Sequence, residues 1–301
     1  MIYTITANPS IDYIMRFDSF EDGATIRATG DEKYPGGKGI MVSKILKNLG
    51  QDSINLGFVG GFIGEYIANS IKELGLKENF VRIKDDSRIN VKLKYDKETE
   101  INARGPKIEK AELEKFFEIL GQVKKDDTII ISGSLPYSLD DDFYKKVIEK
   151  TGSDFTIDIA DKRVLSYLKY KPLLIKPNID ELGKIFECHI DDKNLVTYAK
   201  KLNELGARNV IVSLGAKGSI FVDEDKVYRA KPLVGKLVNS VGSGDSMVGG
   251  FVYGLKNGSE KIDAYKLAVA CGSATAFSPD IGGKVDIYKI LEEVEVEEIG
   301  N

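Results

Sequence analysis

A chain of 301 residues, 42% of them hydrophobic and 30% charged, holds enough apolar material for one large α/β domain carrying an insertion. Its 43 Lys and Arg against 47 Asp and Glu leave a formal net charge of −4, so there is no global basic field for nucleic acid, and no run approaches a membrane span. Two cysteines far apart, Cys188 and Cys271, favour neither a disulfide framework nor a zinc site, and a single histidine, His189, leaves little room for histidine chemistry; a cytoplasmic, reducing setting fits.

The chain opens on an alternating run, Met1 to Asn8, that reads as a strand and lacks the charged start and long apolar stretch of a secretory leader. Asn8-Pro9-Ser10 and Asp12 follow, then 13–17 as a further strand. Asp12 stands where a strand gives way to a loop, the end at which open α/β sheets bind ligands, so it is a candidate for ligand hydroxyls; an Asx turn after Pro9 is a compatible reading. Residues 23–34 are polar and irregular and lead into Pro35-Gly36-Gly37-Lys38-Gly39 and an apolar-periodic helix at 40–49. Three glycines at a helix start let the backbone approach a ligand, with the Lys38 ammonium close by. Gly39 follows Lys38 where a Walker A loop has Ser or Thr, and no stretch fits the dinucleotide-binding glycine pattern.

A strand at 54–59 and a helix ending at Leu74 make a second strand–turn–helix unit. Then the pattern changes: 80–83, 89–95 and 100–102 read as strands with no helix between them. Together with 13–17 they predict a small sheet, inserted at about 9–35 and 80–105, that covers a site and excludes water. Alternation returns with strands at 128–132, 154–159, 173–175 and 209–214 and helices at 110–121, 140–150, 162–168 and 194–205. Residues 1–301 are therefore expected to form one α/β domain, its mainly parallel sheet covered by helices on both faces. The acidic stretch 292–298 reads as a solvated terminus.

The stretch Asn239-Ser240-Val241-Gly242-Ser243-Gly244-Asp245 precedes a small-residue helix at 247–255. A helix that opens on a Gly-rich turn presents free N–H groups and a positive dipole end, which attract phosphate or the charge developing on a moving phosphoryl group. Gly242, Ser243 and Gly244 supply the candidate amides. A carboxylate at this mouth suits a resting anion poorly but is well placed to take a proton from an attacking hydroxyl, so Asp245 is the candidate catalytic base; a helix N-cap is the other role open to it.

Four stretches, Asn8-Pro9-Ser10-Ile11-Asp12, Gly36-Gly37-Lys38-Gly39, Ser213-Leu214-Gly215-Ala216-Lys217-Gly218 and Val241-Gly242-Ser243-Gly244-Asp245, have an order and spacing that resembles the PfkB branch of the ribokinase-like carbohydrate kinases over nearly the whole chain. The resemblance implies a ribokinase-like three-layer fold with a β-sheet lid, and an ATP-dependent, Mg²⁺-requiring phosphotransferase with an alcohol acceptor. It implies that Asp245 deprotonates the acceptor within an anion hole of Gly242, Ser243 and Gly244, and that Asp12, Gly36, Gly37 and Lys38 meet the sugar. Ser213, Gly215 and Gly218 would form the ATP turn, with Lys176 and Asn178 near the phosphates and Glu181 holding Mg²⁺ through water. A first-turn Glu favoured by the helix dipole is the alternative for Glu181, and a plain strand connection for 213–218.

Ser87-Arg88-Ile89-Asn90-Val91-Lys92, with Thr99-Glu100-Ile101-Asn102 and Gly105-Pro106, most resembles the members that convert fructose 1-phosphate to fructose 1,6-bisphosphate. Tagatose 6-phosphate and fructose 6-phosphate are the alternative acceptors, and a non-catalytic sugar-phosphate-binding regulator is the more remote reading. A phosphorylated acceptor calls for cations, and Arg27, Lys38, Arg88 and Arg104 are the candidates, Arg88 foremost. Met41 and Ile26 stand where the family commonly has Asn, which bears on acceptor identity. The edges of the lid sheet need a cover, and a homodimer formed through the lid is expected to supply it.

Overall fold

The computed structural model describes residues 1–96, 98–224 and 226–299. β1 (Ile2–Thr6) leads into β2 (Ser10–Arg16) and β3 (Gly30–Gly36), followed by α1 (Lys38–Asn48), β4 (Ser53–Gly60), α2 (Gly61–Glu73), β5 (Lys77–Glu78) and β6 (Val81–Ile83). After β7 (Arg88–Lys94) and β8 (Glu98–Asn102) the chain alternates through α3 (Lys110–Leu120), β9 (Thr128–Ser132), α4 (Asp142–Thr151), β10 (Asp154–Asp158), a 3₁₀ segment (Lys162–Tyr170) and β11 (Leu174–Ile175). α5 (Ile179–Phe186), α6 (Leu195–Glu204), β12 (Asn209–Ser213), β13 (Ser219–Asp223) and β14 (Lys226–Ala230) come next, and α7 (Ser243–Lys256), α8 (Lys261–Ala276), α9 (Lys284–Leu291) and β15 (Val296–Ile299) complete it.

Strands covered on both faces carry unbroken apolar runs, and Thr-Ile-Ile-Ile-Ser of β9 is buried along its whole length. The central sheet runs β15-β14-β13-β12-β11-β10-β9-β1-β4-β5, with β6 also on β4. Pairing is parallel from β12 to β5 and antiparallel among β12 to β15. One face packs against α3 to α6 through side chains such as Phe116, Phe143 and Leu182. The other packs against α1, α7 and α8 through Val42, Leu46, Phe251 and Tyr265. This is the three-layer α/β arrangement expected from the alternation. Because the inner strands are parallel, Thr6, Ser132, Asp158 and Ser213 end at one common edge, where such folds bind ligands.

A second sheet, β3-β2-β7-β8, stands over that edge. In the register Asp12↔Asn90↔Asn102 the polar residues share one face, while Ile11 and Ile89 on the other pack with Ile63 and Ile67 of α2. The sequence reading differs from the structure in several places. β3, Gly-Asp-Glu-Lys-Tyr-Pro-Gly, falls in the segment expected to be irregular; as a lid edge strand it needs no apolar face. Val81–Ile83, expected in the lid, pairs instead with β4 in the central sheet. The acidic end, expected to be solvated, forms β15 on β14, a charged strand that blunts the sheet edge. Among the described residues, no helix is long and apolar enough to cross a membrane.

Candidate active site

The entrance of α7 is built by a backbone turn. Gly242 is its N-cap, with φ of 79°, a left-handed conformation that costs a residue with a Cβ far more than it costs glycine. Asp245 therefore lies in the first turn of the helix, and the capping role left open for it falls to Gly242. The first bond of the helix runs from the Ser246 amide to the Gly242 carbonyl, 2.8 Å, so the amides of Gly242 and Gly244 keep no acceptor among the described residues. α8 fixes this entrance: Ser243 Oγ donates to the Gly272 carbonyl at 2.9 Å, and the Ser246 and Thr275 hydroxyls meet at 2.8 Å.

Four charged groups converge in front of those amides. Asp245 is 9% exposed, and Asp158, at the C-terminal end of β10, only 4%. Lys38, the first residue of α1, places Nζ 3.0 Å from Asp158 Oδ2 and 3.7 Å from Glu181 Oε1. Burial pushes the Asp245 carboxyl up to about 7, the neighbouring Asp158 charge adding to the rise and Lys38 and Lys176 opposing it. Burial also pushes Asp158 up, but Lys38 and Lys176 outweigh it and hold that carboxyl below its ordinary value. Burial would pull the Lys38 ammonium down; Asp158, Asp245 and Glu181 instead hold it above its ordinary value. One carboxylate is thus kept charged while the other is poised near neutrality, the division of labour that acid–base chemistry requires.

Two cavities flank this cluster, one of about 800 Å³ under the lid and one of about 560 Å³ between β12 and α8. Lys38, Asp158, Gly242 and Asp245 line both, so they stand at the junction. In the lid-side cavity Asp12 Oδ1 accepts from Ser10 Oγ at 2.8 Å and from Asn90 Nδ2 at 3.3 Å, and its Oδ2 is 3.2 Å from Lys92 Nζ. Gly36 abuts it: a Cβ there would lie 2.3 Å from Asp12 Oδ1. Gly37 and Met41 line the same cavity. Arg88 also lines it, but its Nε donates to the Asn8 carbonyl at 3.1 Å, its Nη1 to the Ala103 carbonyl at 2.9 Å and its Nη2 to Ser134 Oγ at 3.4 Å. Burial lowers the Arg88 guanidinium from its ordinary value, with Asp12 opposing. Arg104 lies at the cavity wall over the ring of Tyr137, 4.3 Å from its centroid.

Arg27 does not join them. It is exposed in the segment between β2 and β3 and lines neither cavity; the register Arg16↔Gly30 puts that segment at the end of the lid away from Ser10 and Gly36. Ile26 lies in the same segment and lines neither cavity.

Ser213, Gly215, Gly218, Lys176, Asn178 and Glu181 all line the second cavity. Asn178 Oδ1 accepts from the Glu181 amide at 2.8 Å and Glu181 Oε2 from the Asn178 amide at 3.0 Å, a capping box that makes the first-turn role of Glu181 real. Glu181 Oε1 remains for the junction. Lys176, 5% exposed, has no direct hydrogen bond or ion pair to any described residue, and its Nζ would lie 2.8 Å from a Cβ on Gly244. A buried ammonium beside open helix amides is a place built for an anion. Among the described residues no group of three or more His, Cys, Asp or Glu side chains could cage a metal ion. Sequence reasoning missed Asp158, Lys92, Ser134 and Tyr137. None of the four carries a signal of its own in the sequence: Asp158, for one, is a single acidic residue at the end of a strand.

Comparison with known proteins places the chain among its relatives. The pfkB family carbohydrate kinase profile matches residues 5–285. A 1-phosphofructokinase of Bacillus subtilis is 44% identical over 300 residues, covering 98% of this chain and 99% of the relative. A tagatose-6-phosphate kinase of Staphylococcus epidermidis is 34% identical over 310 residues, covering 98% and 100%. Among solved structures, phosphofructokinase-2 from Escherichia coli in complex with substrates and products superposes with a TM-score of 0.90 at 25% identity, over 97% of this chain and 98% of that one.

Proposed function

We propose, because the chain belongs to the pfkB family of carbohydrate kinases, that it transfers the γ-phosphoryl group of ATP to the 6-hydroxyl of fructose 1-phosphate. The observation that carries this reading is the meeting of two cavities at Lys38, Asp158, Gly242 and Asp245. The lid-side cavity takes the acceptor, and the cavity between β12 and α8 takes the nucleotide. Asp245, ionised, accepts the hydroxyl proton as the sugar oxygen bonds to phosphorus and the bond to the ADP oxygen breaks. The amides of Gly242 and Gly244 and the ammonium groups of Lys38 and Lys176 hold the charge on the moving group.

The donors at the junction suit Mg²⁺, which keeps several waters and takes phosphate oxygens with one or two carboxylates. Glu181 Oε1, with Asp158, would hold it. When bound, the ion neutralises charge on the nucleotide phosphates. The higher identity to a 1-phosphofructokinase than to a tagatose-6-phosphate kinase supports fructose 1-phosphate over tagatose 6-phosphate. We extend the proposal to a homodimer in which a second copy covers the lid edges β3 and β8.

ADP release measured across fructose 1-phosphate, fructose 6-phosphate, tagatose 6-phosphate and fructose tests the acceptor. Fructose 1-phosphate should give the highest kcat/KM; a higher value for any other sugar would reassign it, and sugar-phosphate binding without ADP release would favour a regulator. The pH profile is a second test. The base must be ionised, and its carboxyl is pushed up to about 7. Log(kcat/KM) should therefore climb with unit slope from pH 5.5 and level off above about 7, whereas a flat profile over that range would remove Asp245 from the role.

A further inference from the structure

Five cations line the acceptor-side cavity: Lys38, Arg88, Lys92, Arg104 and Arg163. Four of them are already engaged. Lys38 faces Asp158 and Glu181, and Lys92 lies between Asp12 and Glu100 at 3.2 and 3.6 Å. Arg163 reaches Asp161 at 2.6 Å and Asp141 at 2.8 Å, and Arg88 ties three protein acceptors together across the base of the lid. Of these five, only the Arg104 guanidinium has neither a hydrogen bond nor an ion pair to a described residue.

The guanidinium carbon sits over the Tyr137 ring, 4.3 Å from its centroid, so the ring holds the cation in place without using up its N–H donors. The backbone is held as well. The Tyr137 amide donates to the Arg104 carbonyl at 3.2 Å, and Asn8 Nδ2 donates to that carbonyl at 3.4 Å and to the Leu135 carbonyl at 3.3 Å. Ser138 Oγ then donates to the Pro106 carbonyl at 3.1 Å and accepts from the Ile108 amide at 2.8 Å. Residues 104–108 and 135–138 are thus joined along a seam, with an oriented and unneutralised planar cation at its cavity end.

Resting on the proposed reading of the acceptor as a ketohexose phosphate, we infer that Arg104, held over the Tyr137 ring, grips the phosphate the acceptor already carries, and that Tyr137 is the positioning residue that makes the grip selective for phosphorylated sugars. A fork whose orientation is fixed before binding loses less entropy when it closes on phosphate oxygens, so the platform acts on affinity and not on the chemical step.

The test is a double-mutant cycle read in steady-state kinetics with fructose 1-phosphate. Tyr137→Ala should raise the acceptor KM roughly three- to thirtyfold, the range expected for a lost cation–π platform, with kcat changed less than about twofold. Tyr137→Phe, which keeps the ring, should restore the wild-type KM. In an Arg104→Met background Tyr137→Ala should add less than about a twofold change, because its effect runs through the arginine. An unchanged KM in Tyr137→Ala, equal damage from Phe and Ala, or an undiminished effect in the Arg104→Met background would each overturn the inference while leaving the kinase reading in place. A wild-type protein inert toward every phosphorylated acceptor would overturn both.

Discussion

Asp245→Asn is expected to lower kcat by about 10²–10⁴-fold, the usual contribution of a positioned general base. The amide fills the volume of the carboxylate, so α7 and its free amides keep their places, and it cannot take a proton at neutral pH. ATP affinity should change little, because the groups proposed to hold the phosphates, Lys176 and the Gly244 amide among them, are untouched. Stability should stay level or rise. The native carboxyl is buried next to Asp158, and its charge is opposed by that neighbour, so a neutral isostere relieves a conflict that function imposes. Kinetics, calorimetric ATP binding and thermal unfolding on the one variant separate these effects. Activity within tenfold of wild type would mean that the proton goes elsewhere.

Lys38→Met is the second severe change. The ammonium sits at the junction of the two cavities, and removing one electrostatic contact to a transferring group commonly costs about 10²–10³ in kcat. The pH profile carries a more specific signature. Lys38 opposes the rise of the Asp245 carboxyl, so without it that carboxyl moves further up and the acidic limb of the residual activity shifts to higher pH. Asp158 also loses its ion-pair partner. The loss of stability should be smaller than the about 3–5 kcal/mol found for fully buried pairs, because the Lys38 side chain keeps 35% exposure and Lys176 still acts on Asp158. An acidic limb that stays in place, or kcat within about threefold of wild type, would remove Lys38 from the phosphoryl path.

The parts that could be read before the coordinates are those whose chemistry is local. The glycines around Asp245 announce a helix entrance because a left-handed turn and open amides are properties of a few consecutive residues. The parallel sheet follows from the alternation of helices with apolar runs such as the three isoleucines of β9, which are buried on both faces. Asp158 was not readable because one acidic residue at a strand end looks the same whether it meets water or, as here, Lys38 from a helix 120 residues away. The place of Arg27 depends on lid register, and that of Tyr137 on a seam between segments about thirty residues apart. Glu181 fills the first-turn role with one carboxylate oxygen, in a capping box, while its other oxygen faces Lys38, a contact that depends on a helix remote in the chain. β3 and β15 escaped because edge strands rich in charge lack the alternation that marks half-buried ones.

Phosphorus NMR of the wild-type protein mixed with MgATP and fructose 1-phosphate tests the transfer at the junction most directly. The γ-phosphate signal should give way to a second sugar phosphomonoester in step with ADP, and the Asp245→Asn protein should leave the mixture unchanged. Inorganic phosphate in place of a sugar bisphosphate, or equal conversion by the Asn variant, would contradict the role given to Asp245 between the two cavities.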